Sequence, residues 1–156
     1  MTKQDAIDSR PVETIVIAIC CLVIIAALVL GVGLATNLVL RHVVQTIPLW
    51  AGVILGFRRS PAAGWVALAP FLVWFVLMFL IWLYLLGISR VVSGHFSPVE
   101  IVMTIIVGIA ALVGIASFFR FRSSLSPLTA GLVFVLMTVS QVVCLRVSFL
   151  PAIEHR

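Results

Sequence analysis

The segment at residues 65–88, WVALAPFLVWFVLMFLIWLYLLGI, is apolar from end to end and carries no charge. At about 1.5 Å per helical residue, a segment of this length crosses the roughly 30 Å hydrocarbon core of a bilayer. It therefore predicts a transmembrane helix. The remainder of the chain consists of further apolar runs with short polar connections between them.

The composition favours a membrane protein built of helices. Hydrophobic residues make up 63% of the chain and charged residues 10%, whereas charged residues are about a quarter of a soluble domain. The apolar runs are continuous, while the strands of a membrane barrel would alternate between apolar and polar residues. We therefore predict an all-α fold, a polytopic transmembrane helical bundle that forms a single integral membrane domain over residues 1–156.

The apolar runs divide this domain into five expected membrane helices. They lie at 14–36, 38–57, 61–88, 98–119 and 127–150, between polar tails at 1–13 and 151–156. Gly31, Gly33 and the Thr36-Asn37 pair predict that the first helix loosens or ends near these residues.

Three Ser-Pro steps mark expected helix starts, at Ser60-Pro61, Ser97-Pro98 and Ser126-Pro127. The serine hydroxyl accepts a hydrogen bond from a free amide of the first turn, and proline lacks the amide that would have no partner there. Glu100 completes a capping box with Ser97. This role is a sufficient explanation for an acidic residue at the start of an apolar helix.

The second helix leaves the number of spans open. Counted from Leu38, with Pro48 as a kink, it is long enough to cross a bilayer; counted from Pro48, it is an interfacial or re-entrant helix and the chain has four spans. Five spans put six basic residues on one side and four on the other: Lys3, Arg10, Arg58, Arg59, Arg120 and Arg122 against Arg41, Arg90, Arg146 and Arg156. Four spans would divide them equally. Because cytoplasmic loops carry an excess of Lys and Arg, we favour five spans in a cell or inner membrane, with the N-terminus cytoplasmic.

The net charge of +5 does not indicate a nucleic-acid partner. The arginines occur singly or in pairs at the ends of apolar runs, where they orient a membrane protein and contact lipid headgroups. Cys20, Cys21 and Cys144 lie inside apolar runs, and the sequence contains no CxxC pair or Cys/His cluster with metal spacing. We therefore predict no nucleic-acid partner, no metal and no cofactor.

One polar cluster is a candidate for chemistry at the membrane surface. Five spans place these residues on the non-cytoplasmic side: His42, His95, His155, Arg41, Arg90, Glu100 and Glu154. Imidazole and carboxylate are ordinary metal ligands, so a metal-binding or carboxylate-binding cluster is one interpretation. Contact with lipid headgroups is the other, since no pair of histidines has the spacing of ligands on one helix. No residue is assigned a catalytic, cofactor-binding or metal-binding role.

Polar and small residues inside the spans predict contacts between helices. Gln141, with Thr138 three residues earlier on the same face, is expected to form a hydrogen bond across a helix interface. Close helix packing is expected at Gly52 and Gly56, which form a GxxxG pattern, and at Gly108 and Gly114 in a helix rich in small residues.

An aromatic stripe on the segment at 65–88 consists of Phe71, Phe75, Phe79 and Trp82, with Trp74 beside it. It either holds a quinone, pigment or sterol, or fills space between helices and lipid.

These observations lead to three functional hypotheses. The first is a small integral membrane protein without a catalytic site, acting as an accessory, assembly or partner-binding subunit, because the loops are too short for a soluble site. The second is an oligomeric transporter or channel component, since residues 56–64 and 119–131 share two arginines and a Ser-Pro step, as repeated hairpins would. The third is a membrane redox or lipid-modifying enzyme that uses the His/Arg/Glu cluster. The expected partners are the lipid bilayer and other membrane proteins or further copies of the chain.

Overall fold

The computed structural model describes residues 3–91 and 94–154, and over these residues its secondary structure is helical, without strands. Helix α1 runs over Lys3–Ala26 and continues through the π-helical segment Ala27–Gly33 into Leu34–Thr36; α2 is Val39–Phe57, α3 is Ala63–Leu85, α4 is Pro98–Arg120, α5 is Pro127–Ser148, and the short α6 is Pro151–Glu154. The five long helices are each long and apolar enough to cross a membrane, the first of them over Val12–Thr36. The prediction of an all-α fold with five long apolar helices is confirmed.

Helix α1 widens and then ends where its glycines predict that it loosens. Over Ala27–Gly33 the helix is π-helical, with amides bonded to carbonyls five residues earlier. Asn37 then adopts the left-handed conformation, with φ of 55°. The Leu38 amide donates to the Gly33 carbonyl at 2.9 Å, and this closure leads directly into α2.

Helices α4 and α5 begin at the predicted Ser-Pro steps. Ser97 Oγ accepts a hydrogen bond from the Glu100 amide at 3.3 Å, and the Ser97 amide donates to Glu100 Oε2 at 2.7 Å, which confirms the capping box. Ser126 Oγ accepts from the Thr129 amide at 3.2 Å.

Helix α3 is shorter at both ends than the expected membrane helix at 61–88. Arg59 adopts a left-handed conformation, with φ of 53°, and the turn that follows delays the start of α3 to Ala63, so Ser60 does not cap this helix. At the other end, Gly87 has φ of 73° and the Ile88 amide donates to the Leu83 carbonyl at 2.9 Å, so α3 stops at Leu85.

The two polar tails are also partly helical. The first helix begins at Lys3, well before the expected start at residue 14. Pro151–Glu154 forms the short α6, and α5 ends at Ser148 rather than at residue 150.

Glycine contacts show that α2 runs back along α1. A Cβ atom added to Gly52 would lie 2.7 Å from Cys21 Sγ, and one added to Gly56 would lie 2.8 Å from Ala18 Cβ. The GxxxG pattern is therefore used inside the chain, where it lets the two helix backbones approach closely.

Similar contacts make α3 and α4 antiparallel, and α5 runs back along α2. A Cβ atom on Gly114, in the second half of α4, would overlap the ring of Phe71 in the first half of α3, and one on Gly64 at the start of α3 would lie 2.5 Å from Phe121, which follows α4. Successive long helices thus alternate in direction.

One end of the bundle, the His42 end, contains the ends of α1, α3 and α5 and the starts of α2 and α4. The opposite end, the Arg58 end, contains the connections from α2 to α3 and from α4 to α5.

The core of the bundle is formed mainly by the first four helices. Its fully buried side chains include Ile17, Ile24, Leu49, Phe71 and Val107. Helix α5 is the least enclosed, because 17% of its apolar span is buried, against 33% or more for the other four. It packs on the bundle mainly through α2 and α3.

Candidate functional site

A cavity of about 400 Å³ lies at the His42 end of the bundle. Helices α1 to α4 form its walls together with Phe149, which follows α5. Its apolar part includes Leu28 and Val107, which are almost completely buried. Five polar side chains line it: Arg41, His42, Gln45, Glu100 and Thr104. We call this the His42 cavity.

The first turn of α2 brings Arg41 and His42 to the cavity. His42 Nδ1 lies 2.9 Å from the Leu38 carbonyl oxygen. A carbonyl only accepts, so we assign the proton to Nδ1 and leave Nε2 of the neutral ring as an acceptor. The Arg41 guanidinium carbon is 4.0 Å from the centre of the Phe149 ring. This cation–π contact holds the guanidinium against the Phe149 ring at the cavity wall.

Glu100 reaches the same cavity from the first turn of α4. Its Oε2 accepts the Ser97 amide in the capping box, which holds the side chain in place. A carboxylate has further lone pairs. The cavity therefore contains one guanidinium, one carboxylate and one histidine.

Gln45 lies one turn further along α2, below Arg41, and links the cavity to α5. Its Nε2 donates to Ser148 Oγ at 2.9 Å, and Ser148 Oγ donates to the Leu145 carbonyl at 2.7 Å. Gln141 Nε2 donates to the backbone carbonyl of Gln45 at 3.0 Å. These bonds hold α2 and α5 together without charged groups.

A second cavity, of about 350 Å³, adjoins the first. It lies between α2, α3 and α5, and Arg146 and Leu145 contribute to its wall. Gln45, Trp74, Leu77 and Phe149 line both cavities.

Trp74 lies in this shared wall and is 3% exposed. Its Nε1–H has no hydrogen-bond acceptor among the described residues. Buried polar groups are rarely left without a partner, so this N–H is an unsatisfied donor in the wall between the two cavities.

The structure places only part of the predicted polar cluster at one site. His42, Arg41 and Glu100 share the His42 cavity, whereas His95 and Arg90 are exposed and do not line it. His155 lies outside the described residues. Among the residues whose side chains the structure describes, no three His, Cys, Asp or Glu are grouped as a metal site would require.

The structure shows some of the predicted contacts between helices and not others. Gln141 bonds across to α2, while Thr138 Oγ1 donates within α5 to the Phe134 carbonyl at 2.8 Å. Gly52, Gly56 and Gly114 lie at close helix contacts, but a Cβ on Gly108 would meet only Met78 Cβ, at an ordinary 3.7 Å.

The aromatic stripe divides between core and surface. Phe71 is 1% exposed and packs in the core. Phe75, Phe79 and Trp82 line an open apolar groove of about 280 Å³ between α3 and α4, next to Gly108.

The chain matches no protein-family model, no curated protein and no solved structure.

Sequence reasoning missed Gln45 as a site residue and placed Trp74 only beside the aromatic stripe. Gln45 follows His42 by three residues, a spacing that places both side chains on one helix face, and this signal was present in the sequence. Nothing in the sequence distinguishes the buried N–H of Trp74 from the other tryptophans.

Proposed function

We propose that this chain is a five-span integral membrane protein that binds an amphiphilic molecule of the bilayer in the His42 cavity. The proposed role of the protein is to bind this molecule and not to catalyse a reaction. In this proposal the N-terminus is cytoplasmic, and the His42 end faces the non-cytoplasmic side.

The membrane part of the proposal is supported by the alternating helix directions and the distribution of charge. Five antiparallel helices of sufficient length put the chain positions of Lys3, Arg10, Arg58, Arg59, Arg120 and Arg122 at one end. The positive-inside rule places that end in the cytoplasm. The His42 cavity then opens at the depth where lipid headgroups meet the hydrocarbon.

The binding part depends on one observation, the combination of charged and apolar walls in a single cavity. Arg41, His42 and Glu100 supply polar groups, while Leu28 and Val107 supply a hydrocarbon-like interior. Small-molecule sites have this composition, and their volumes begin at roughly 300 Å³. A cavity of about 400 Å³ holds a headgroup and the adjoining atoms of an amphiphile, and the rest of a lipid extends into the bilayer.

Photo-crosslinking tests this proposal. The purified protein is reconstituted in phosphatidylcholine vesicles that contain a trace of a phospholipid with a diazirine near the glycerol end of one acyl chain. After illumination, the labelled residues are identified by mass spectrometry. We expect label on Leu28 and Val107, because both line the cavity and lie in the interior of the bundle, away from the surrounding lipid.

A matched pair of variants controls the experiment. Leu77→Trp places a larger side chain in the shared cavity wall and should abolish label on Leu28 and Val107. Val76→Trp adds the same side chain at the adjacent position, where Val76 is 52% exposed, and should leave the labelling unchanged. Label confined to outward residues in the native protein would refute the proposal.

A second candidate function, as a subunit of a larger membrane assembly, is favoured by the low burial of α5. Its outward side chains Leu132 and Leu136 are 68% and 64% exposed. Single cysteines at these two positions should form disulfide-linked dimers in membranes if α5 packs on a second copy. A partner of another kind would leave them monomeric but protected from a lipid-soluble thiol reagent, and full reactivity would exclude both.

A further inference from the structure

We propose that the Arg58 end of the bundle binds an anionic phospholipid. The phosphate lies at the arginines of the two connections, and an acyl chain lies in an apolar cavity between α3, α4 and α5. This site is at the opposite end of the bundle from the His42 cavity and does not depend on what binds there.

The two connections at the Arg58 end are joined to each other. Ser123 Oγ, in the connection from α4 to α5, donates a hydrogen bond to the Pro61 carbonyl, in the connection from α2 to α3, at 2.8 Å. The Phe121 ring packs on Gly64, which has no side chain to prevent this contact. The two connections therefore form one surface.

This surface carries an excess of positive charge. Arg58 and Arg59 follow α2, while Arg120 ends α4 and Arg122 follows it, and all four side chains are exposed. Among the described side chains, none of these guanidiniums forms a hydrogen bond or an ion pair. Glu13 of α1 is the one acidic residue at this end whose side chain the structure describes. Unpaired charges of one sign create a potential that attracts an anion.

An apolar cavity of about 500 Å³ adjoins the charged surface. Arg120 stands in the chain between Phe119 and Phe121, which both line the cavity, so its charged and apolar parts are neighbours. At the start of α5, a Cβ added to Gly131 would have no atom within 4 Å, which leaves the cavity open on that side. The aromatic part of the wall comes from α3, α4 and the connection that follows: Trp65, Phe118, Phe119 and Phe121.

This combination fits a lipid whose headgroup has a net negative charge. Guanidiniums donate several N–H groups to phosphate oxygens. Basic pockets between membrane helices bind acidic headgroups on the cytoplasmic side. The quaternary ammonium of phosphatidylcholine would instead lie among guanidiniums and be repelled. A free phosphate has no chain for the cavity, so the two parts together indicate a lipid of the phosphatidylglycerol type.

Native mass spectrometry of the purified protein in detergent tests the inference. It measures the binding of phosphatidylglycerol and phosphatidylcholine with identical acyl chains. We expect phosphatidylglycerol to bind about five- to thirtyfold more tightly, the ratio that one or two basic residues provide at a membrane surface. The measurement is independent of the direction in which the protein inserts. Equal binding of the two lipids would overturn the inference and leave the arginines only the role of orienting the protein.

Two double variants remove the same charge from opposite ends of the bundle. Arg120→Gln with Arg122→Gln should weaken the binding of phosphatidylglycerol about five- to thirtyfold. Arg90→Gln with Arg146→Gln is the matched control, since Arg146 lies in the last turn of α5 as Arg120 does in that of α4. The control should retain the preference for phosphatidylglycerol. An equal loss in both would assign the preference to overall charge and contradict a site at the Arg58 end.

The apolar cavity has its own pair of variants. Gly131→Leu places a side chain in the open side of the cavity and should weaken phosphatidylglycerol binding about four- to fifteenfold, the effect of one or two CH₂ groups displaced from apolar surface. Gly131→Ala leaves most of the space and should have little effect. Unchanged binding in the leucine variant would contradict an acyl chain in this cavity.

One further variant separates this inference from the function proposed for the His42 cavity. Leu77→Trp fills the wall of the His42 cavity and should leave the preference for phosphatidylglycerol unchanged. Loss of the preference in this variant would place the anionic lipid at the His42 end and overturn the inference. Failure of the photo-crosslinking at Leu28 and Val107 would refute the proposed function alone.

Discussion

Gln141 Nε2 of α5 donates a 3.0 Å hydrogen bond to the backbone carbonyl of Gln45 in α2, at a point where both residues are buried. The neighbouring carbonyl, that of Val44, faces position 48, where Pro48 has no amide to donate. The bond from Gln141 therefore joins α5 to α2 at the carbonyl next to the one that Pro48 leaves without its helical donor.

Replacing Gln141 with methionine should destabilise the protein only modestly. Methionine keeps most of the volume and removes the bond to α2, and such bonds contribute about 0.6 kcal/mol on average in membrane proteins, and at most about 1.7 kcal/mol. The free energy of unfolding in mixed micelles measures the loss. Ser140→Ala, at the adjacent half-buried position, is the control and should be close to neutral. An equal loss in both variants would show that the contact between α5 and α2 is not the cause.

Much of the helical pattern was predictable because it depends on local chemistry. The capping box at Ser97 and the loosening near Gly31 follow from side-chain and backbone preferences within a few residues. The end of α3 was misplaced because apolar residues continue to Ile88, while Gly87 in its left-handed conformation terminates the helix earlier.

The candidate site was only partly predictable because it depends on which helices adjoin. Arg41, His42 and Glu100 were selected for their chemistry and do share a cavity. His95 and Arg90 were grouped with them only because they lie at the same end of the bundle, and the loop that carries them leaves both exposed. The contribution of Trp74 required the three-dimensional packing of α2, α3 and α5.

Gly114→Leu should be strongly destabilising because any side chain there overlaps the Phe71 ring. Overpacking of this kind costs about 1–3 kcal/mol. Gly131 in α5 has no atom within 4 Å of an added Cβ, so Gly131→Leu provides a matched control. It should be neutral or stabilising by up to about 1 kcal/mol, through higher helix propensity. Thermal stability in detergent would distinguish the two, and equal melting temperatures would place Gly114 on the lipid-facing side.

Ser97→Ala should weaken the start of α4 without preventing insertion into the membrane. The hydroxyl accepts the Glu100 amide, and loss of an N-cap costs about 0.5–2 kcal/mol. Ser97→Thr retains a hydroxyl and should cost less. Hydrogen exchange of the first-turn amides of α4 measures the effect. Complete loss of the alanine variant from membranes would contradict the assignment of Ser97 as a simple cap.

The number of membrane spans determines whether the His42 cavity opens on the headgroup region opposite the cytoplasm. Single cysteines at Ser9, Ser60, Ser124 and His95, in a background without Cys20, Cys21 and Cys144, can be labelled with an impermeant thiol reagent in intact cells. With five spans, the cysteine at position 95 reacts from outside, while those at 9, 60 and 124 react only after the membrane is opened. If positions 9 and 95 instead react from one side and position 60 from the other, α2 does not cross, and the five-span account is contradicted.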